Sequence, residues 1–153
     1  VEKRRTFVAS LQSNLLIAAA IWLAIPSAFA KAEDWGSKLD PGYKLLTQGQ
    51  IEKAAQFFEK KAAKYPDSGA CHTGYGRALK RWGKISLAKG EFAKATQVDP
   101  NFPDGFYEYA TALESDKQYA EASSAFQRFL SLAPDDAQRM NVPDRIRFCD
   151  EHR

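Results

Sequence analysis

In 153 residues the chain has only two cysteines, Cys71 and Cys149, and two histidines, His72 and His152. Neither histidine has a second ligand at metal spacing. There is no Cys-x-x-Cys, no His-Glu-x-x-His, no phosphate-loop lysine pattern and no nucleophile elbow. Gly74-Tyr75-Gly76 is a Gly-x-Gly fragment inside a helical pattern, outside any phosphate-loop context. With no convergent set of acid, base and nucleophile, the chain reads as a non-enzyme that needs no cofactor and no metal. Charge of one sign is also lacking: 22 Lys and Arg stand against 19 Asp and Glu. A nucleic-acid binder needs a dominant positive field, so nucleic acid is excluded as a partner, and the aromatic residues read as core and not as a base-stacking platform.

Long apolar runs are missing as well. The most apolar stretch, Leu15–Ile25, has eleven residues, short of the ~20 that span a bilayer. Lys3, Arg4 and Arg5 precede it, Pro26 ends it, and Ala28-Phe29-Ala30 places small residues at −3 and −1 before Lys31. Basic start, apolar centre and small-x-small end are the layout of a secretory signal. Residues 1–30 are therefore expected to be a cleaved signal peptide and the product to be exported, periplasmic or secreted. The rival is an uncleaved anchor, the one way a membrane enters this reading. Arg4-Arg5-Thr6-Phe7-Val8 resembles the twin-arginine export motif but departs from it at Lys3 and Ala9. Residues 31–153 carry 19 basic and 18 acidic residues, 19 − 18 = +1.

What the sequence does have is a period. Pro66, Pro100 and Pro134 are 34 residues apart, as are Phe58, Phe92 and Phe126, then Ala54, Ala88 and Ala122, then Leu45, Leu79 and Leu113. Composition alone supplies roughly a quarter of one such column, so four establish a repeat. Gly42, Gly76 and Ala110 form a near-identical column of small residues, and Gly49 and Gly83 recur in another whose third member is Lys117. Each Pro cannot continue the apolar-periodic run before it. The small column lets two helices approach closely, and the Phe column lies four residues beyond the Ala column on one face. Gly49 and Gly83 fall where a tight turn needs a permissive backbone. These columns predict helices near 41–48, 50–64, 69–82, 84–98, 103–115 and 118–132. Asp40-Pro41 reads as a cap and first helical position, shortening the first helix. Val142, Ile146 and Cys149 share a face of a terminal helix that Pro143 opens and Asp135-Asp136 favour at its start.

The columns resemble the tetratricopeptide repeat family, from about Trp35 to Pro134. The resemblance implies an all-α, right-handed superhelix of three helix-turn-helix hairpins (about 35–66, 69–100 and 103–134), with a capping segment at 135–153. Lys38, His72 and Phe106 occupy the family's bulky position. Cys71 and Cys149 then lie four helices apart, and axes ~8–10 Å apart place them beyond the ~7 Å limit for a disulfide. They read as small packed hydrophobes. Trp82 is expected to pack at a hairpin corner.

Arg77, Lys80, Arg81 and Lys84 follow helical spacing and form a basic stripe, some of which is explained by favourable charge at a helix C-terminus. The resemblance implies a groove lined by Tyr43, Leu46 and Thr47, then Thr73, Arg77, Lys80 and Arg81, then Tyr107, Thr111 and Glu114. Its chaperone-tail clamp needs Lys and Asn where this chain has Leu39 and Tyr43, so that function is not implied. The leading expectation is an exported adaptor holding an acidic peptide or partner helix in its concave face. The alternative is a structural subunit of a cell-envelope assembly that self-associates or docks through its ends.

Overall fold

The structure, a computed structural model, describes residues 34–153. The expected signal peptide at 1–30 lies outside the described residues. Among these, the chain is all helical: α1 Trp35–Thr47, α2 Ile51–Lys64, α3 Gly69–Arg81, α4 Ile85–Val98, α5 Pro103–Ser115, α6 Tyr119–Leu132, α7 Pro134–Arg139 and α8 Val142–His152. Three antiparallel hairpins, α1/α2, α3/α4 and α5/α6, stack in order, and α7 and α8 close the stack against α6. This is the stack of hairpins with a terminal cap that the resemblance implies.

The period is visible in how each hairpin is built. Helices α2, α4 and α6 end at Lys64, Val98 and Leu132, two residues before Pro66, Pro100 and Pro134. The tight turn within each hairpin closes in the same way. The backbone N–H groups of Gln50, Lys84 and Gln118 donate to the carbonyls of Leu45, Leu79 and Leu113, each at 2.9 Å. The residue before each donor is left-handed: Gly49 at φ 74°, Gly83 at φ 80° and Lys117 at φ 59°. That geometry is the C-terminal cap in which glycine carries no steric cost.

Phe58, Phe92 and Phe126 are 0% exposed, as are Ala54, Ala122 and Ala110. A Cβ on Gly42 would lie 2.6 Å from the Phe58 ring, and one on Gly76 2.4 Å from Phe92. Gly74 meets Phe58 from the preceding hairpin, with a Cβ only 2.5 Å from that ring. Thus α3 receives a phenyl ring on each side, which is the role of Gly74 and Gly76. Each Phe buried in this way contributes about 1.5–3 kcal/mol of transfer free energy.

Two expectations need correction. Helix α1 begins at Trp35 and runs through Pro41, where the sequence suggested a start at Asp40-Pro41. An internal Pro costs about 3 kcal/mol, but the extra turns bury Leu39 to 2% exposure and set Trp35 edge-on to Tyr65 at 5.1 Å. The cap is also two helices, because Asn141 turns left-handed at φ 53° between α7 and α8. Asp135 and Asp136 occupy the first turn of α7, Pro143 the first turn of α8, and Val142 and Cys149 are fully buried.

Candidate partner-binding groove

Helices α1, α3 and α5 supply the residues of the predicted groove. A cavity of about 350 Å³ between the first two hairpins is lined by Tyr43, Leu46, Thr47, Arg77, Lys80, Arg81 and Glu108. Six of the ten groove residues that the resemblance implies therefore meet in one place: Tyr43, Leu46, Thr47, Arg77, Lys80 and Arg81. A second cavity, about 300 Å³, lies between the second and third hairpins, with Ile85, Ala88, Phe92 and Ala112 as its apolar lining and Lys80, Lys89, Glu108, Thr111 and Ser115 as its polar lining. A third, about 250 Å³, touches Arg77, Asp104, Tyr107, Glu108, Phe129, Asp136 and Met140.

Glu108 borders all three. Its carboxylate accepts from Arg77 Nε at 2.8 Å and from Lys80 Nζ at 2.6 Å. Arg77 also donates to Asp104 Oδ2 at 3.0 Å and to the Tyr43 hydroxyl at 3.4 Å. The basic stripe is thus partly neutralised by acids from α5. Burial works against ionising Glu108, but the hydrogen bonds from Lys80 and Arg77, with their charges, outweigh it and hold the carboxyl below its ordinary value. Burial opposes the Arg77 charge in the same way, and bonding to Glu108 with the facing charges raises it further above its usual value. Arg77 is consequently a strut between hairpins and not an available pair of donors. Arg81, one turn later, is exposed and has no carboxylate partner among the described residues.

Sequence reasoning missed Asp104 and Glu108. The repeat gave no signal for Glu108, since its column holds Asp40 and Gly74 in the other hairpins and Asp40 pairs with Lys44 within its own helix. Thr73, implied as a groove residue, is fully buried. It lies under α5, where its hydroxyl would sit 3.5 Å from a Cβ on Gly105.

The far end of the row is engaged by the cap. Arg145 of α8 donates to the Tyr107 hydroxyl at 3.2 Å, to Thr111 Oγ1 at 3.3 Å and to both oxygens of Glu114. Its guanidinium lies 4.3 Å from the Phe126 ring centroid. Burial again opposes the charge, and the bond and charge of Glu114 overcome it, so the Arg145 value is raised. Tyr107, Thr111 and Glu114 are therefore partners of the cap, which the sequence did not foresee.

The remaining candidates have structural surroundings. His72 is 1% exposed, with Nδ1 2.7 Å from Glu91 Oε2 and Nε2 2.9 Å from the Pro66 carbonyl. It ties the start of α3 to α4 and to the loop before it. Cys71 and Cys149 are buried in different hydrophobic clusters and are not bridged. Burial and the nearby Glu114 charge push the Cys149 thiol up. Trp82, expected to pack, is 37% exposed.

Hairpins of this kind define a helical-repeat scaffold. The profile of the tetratricopeptide repeat matches residues 103–136, the third hairpin, and no curated protein matches the chain in sequence. Solved structures agree in fold. The TPR2B domain of yeast Sti1 in its pHsp70 complex is similar at 17% identity and a TM-score of 0.66, covering 79% of this chain and 100% of that one. The Yersinia enterocolitica type III secretion chaperone SycD, in complex with a peptide of the translocator YopD, is similar at 17% identity and 0.65, covering 79% and 96%. The second TPR domain of human RPAP3, in complex with the HSP70 peptide SGPTIEEVD, is similar at 20% and 0.61, covering 71% and 90%. Residues 103–136 thus match a tetratricopeptide repeat, and the chain shares the helical-hairpin fold of these solved structures.

Proposed function

We propose that this protein is an exported, non-enzymatic adaptor that holds an extended peptide or partner helix in the groove of its first two hairpins. The observation that carries this reading is the open cavity of about 350 Å³ with Tyr43 and Leu46 as apolar lining and Arg81 exposed at its edge. An apolar side chain of the partner fits against Leu46 and Tyr43, and a carboxylate meets Arg81. Arg guanidinium suits that task because its planar donors match a carboxylate in two-point contact. Similar solenoids hold a YopD peptide and the acidic HSP70 peptide SGPTIEEVD, which supports a peptide as the class of partner. Export rests on the order of charge, apolarity and small residues in 1–30.

Site-specific photocrosslinking in the native cell tests the groove. A photoreactive residue at Thr47 should capture a partner that one at Lys60, exposed on α2, does not. Capture from Lys60 alone would move the binding surface away from the groove. Amino-terminal sequencing of the exported chain should begin at Lys31, and an intact Val1 in membranes would replace export with anchoring.

A further inference from the structure

The turn between α3 and α4 differs from its two counterparts in one direction. The three turns share one backbone, and the 34-residue register aligns them position by position. Where the second hairpin has Trp82, Lys84 and Leu87, the first has Gln48, Gln50 and Lys53, and the third has Asp116, Gln118 and Glu121. The fold therefore builds this turn twice with no apolar residue at any of these places. Yet Trp82 and Leu87 stand 37% and 60% exposed, beside Ile85 at 50%, whose counterparts Ile51 and Tyr119 are apolar too.

The charge around them is one-sided. No Asp or Glu occurs from Ser68 to Gly90, a stretch that holds Arg77, Lys80, Arg81, Lys84 and Lys89. Arg77, Lys80 and Lys89 have carboxylate partners on neighbouring elements. Among the described residues Arg81 and Lys84 have none. Lys84 Nζ instead lies 3.4 Å from the centroid of the Trp82 ring.

Geometry decides what kind of surface this fits. Ile85 and Leu87, two residues apart on α4, project about 200° apart around the helix, and Trp82 precedes both in the turn. The apolar side chains surround the end of the hairpin instead of forming one face. A rigid protein partner covers a face, whereas a deformable interface covers a tip all round. Five residues also fall far short of the ~20–30 per side in a specific protein interface. An aromatic ring, aliphatic side chains and unpaired cations together match the headgroup level of a bilayer.

We propose that residues 81–87 form a peripheral docking tip for an anionic lipid surface. Trp82, Ile85 and Leu87 enter the headgroup–acyl boundary, and Arg81 and Lys84 meet lipid phosphates. No helix among the described residues is long and apolar enough to cross a membrane, and this attachment needs none. It shares Arg81 and Ile85 with the cavity linings, whereas Trp82, Lys84 and Leu87 line none of the three cavities described and carry the test.

The test uses the full chain and vesicles of phosphatidylglycerol or phosphatidylcholine. Lipid contact by the run Leu15–Ile25 is separated by a local readout: Trp22→Phe with Trp35→Phe leaves Trp82 the sole tryptophan. Its emission should shift to the blue and be quenched by brominated acyl chains in phosphatidylglycerol vesicles, and much less with phosphatidylcholine. Lys84→Gln with Leu87→Glu, made in the wild-type chain, should lower partition into phosphatidylglycerol vesicles at least about tenfold, each cation near a surface being worth about fivefold. Neither residue lines a groove cavity, so peptide binding is left intact, and a helical circular dichroism spectrum confirms the fold. Trp82 emission unchanged on vesicles that do sediment the chain would overturn the proposal. So would equal partition of wild type into the two lipids, or quenching of Trp82 only by an acidic protein added in place of vesicles.

Discussion

The second and third hairpins share a register and divide their labour differently. In the third, Ala110 stands where the second has Gly76, and Lys117 where the second has Gly83. Its inner residues Tyr107, Thr111 and Glu114 are held by Arg145. The second hairpin has two glycines taking phenyl rings from both sides, a cavity on each flank and a turn whose apolar residues stay in water. The family profile matches the third hairpin, and the apolar exposure at Trp82 and Leu87 is in the second. A solenoid repeats its packing and varies its surface, so function is legible in the positions that leave the repeat.

The largest effect should come from what the hairpins have in common. Phe92→Ala removes a ring that is 0% exposed and should cost about 3–5 kcal/mol out of the ~5–15 kcal/mol of a small domain. A chemical denaturation midpoint near wild type would show that the second hairpin does not depend on its Phe.

The next effect separates the two. A Cβ on Gly76 would sit 2.4 Å from the Phe92 ring, so Gly76→Ala should cost about 1–3 kcal/mol by overpacking. Ala110→Gly, the exchange in the other direction, should cost about 1 kcal/mol through helix propensity. Equal losses from the two would mean that the hairpins close to the same helix spacing.

The strut between them comes third. Arg77→Ala leaves Glu108 with Lys80 alone and should cost about 1.5–3 kcal/mol. The carboxyl of Glu108 is held below its ordinary value, so the folded state gains from its ionised form. That contribution is present above the ordinary carboxylate value of about 4 and is lost as pH falls through the lowered folded value. Glu108→Gln should therefore flatten the acid limb of stability measured by denaturation between about pH 5 and pH 2. An acid limb as steep as wild type would assign the loss to other carboxylates.

Much of this was legible before any coordinates. Period and side-chain size at Phe58, Phe92, Phe126, Gly42 and Gly76 specify hairpins, because a repeating contact must repeat its residues. Tyr43, Leu46, Lys80 and Arg81, assigned to one groove by the resemblance to tetratricopeptide repeats, line one cavity. What escaped was pairing across hairpins. Arg77 meets Asp104 and Glu108, and Arg145 meets Glu114, contacts between residues about one period apart that no local pattern encodes. Pro41 misled for a similar reason: a local breaker lost to burial of Leu39 and packing of Trp35 on Tyr65.

The smallest prediction has the opposite sign. Lys117 is left-handed at φ 59°, in the place that Gly49 and Gly83 fill in the other two turns. Its N–H donates to the Glu114 carbonyl at 2.9 Å, as Gly83 does to Lys80 at 3.1 Å, so the turn is fully formed despite the side chain. A Cβ in this region costs about 1–2 kcal/mol, and glycine removes that cost while adding freedom to the unfolded chain. Lys117→Gly should then stabilise by about 0.5–1 kcal/mol, whereas Gly83→Ala should destabilise by a similar or larger amount. Thermal denaturation of the two variants beside wild type reads both signs at once. A loss of stability in Lys117→Gly would mean that the lysine side chain holds a contact worth more than its backbone strain, and that the third turn is more than a copy of the second.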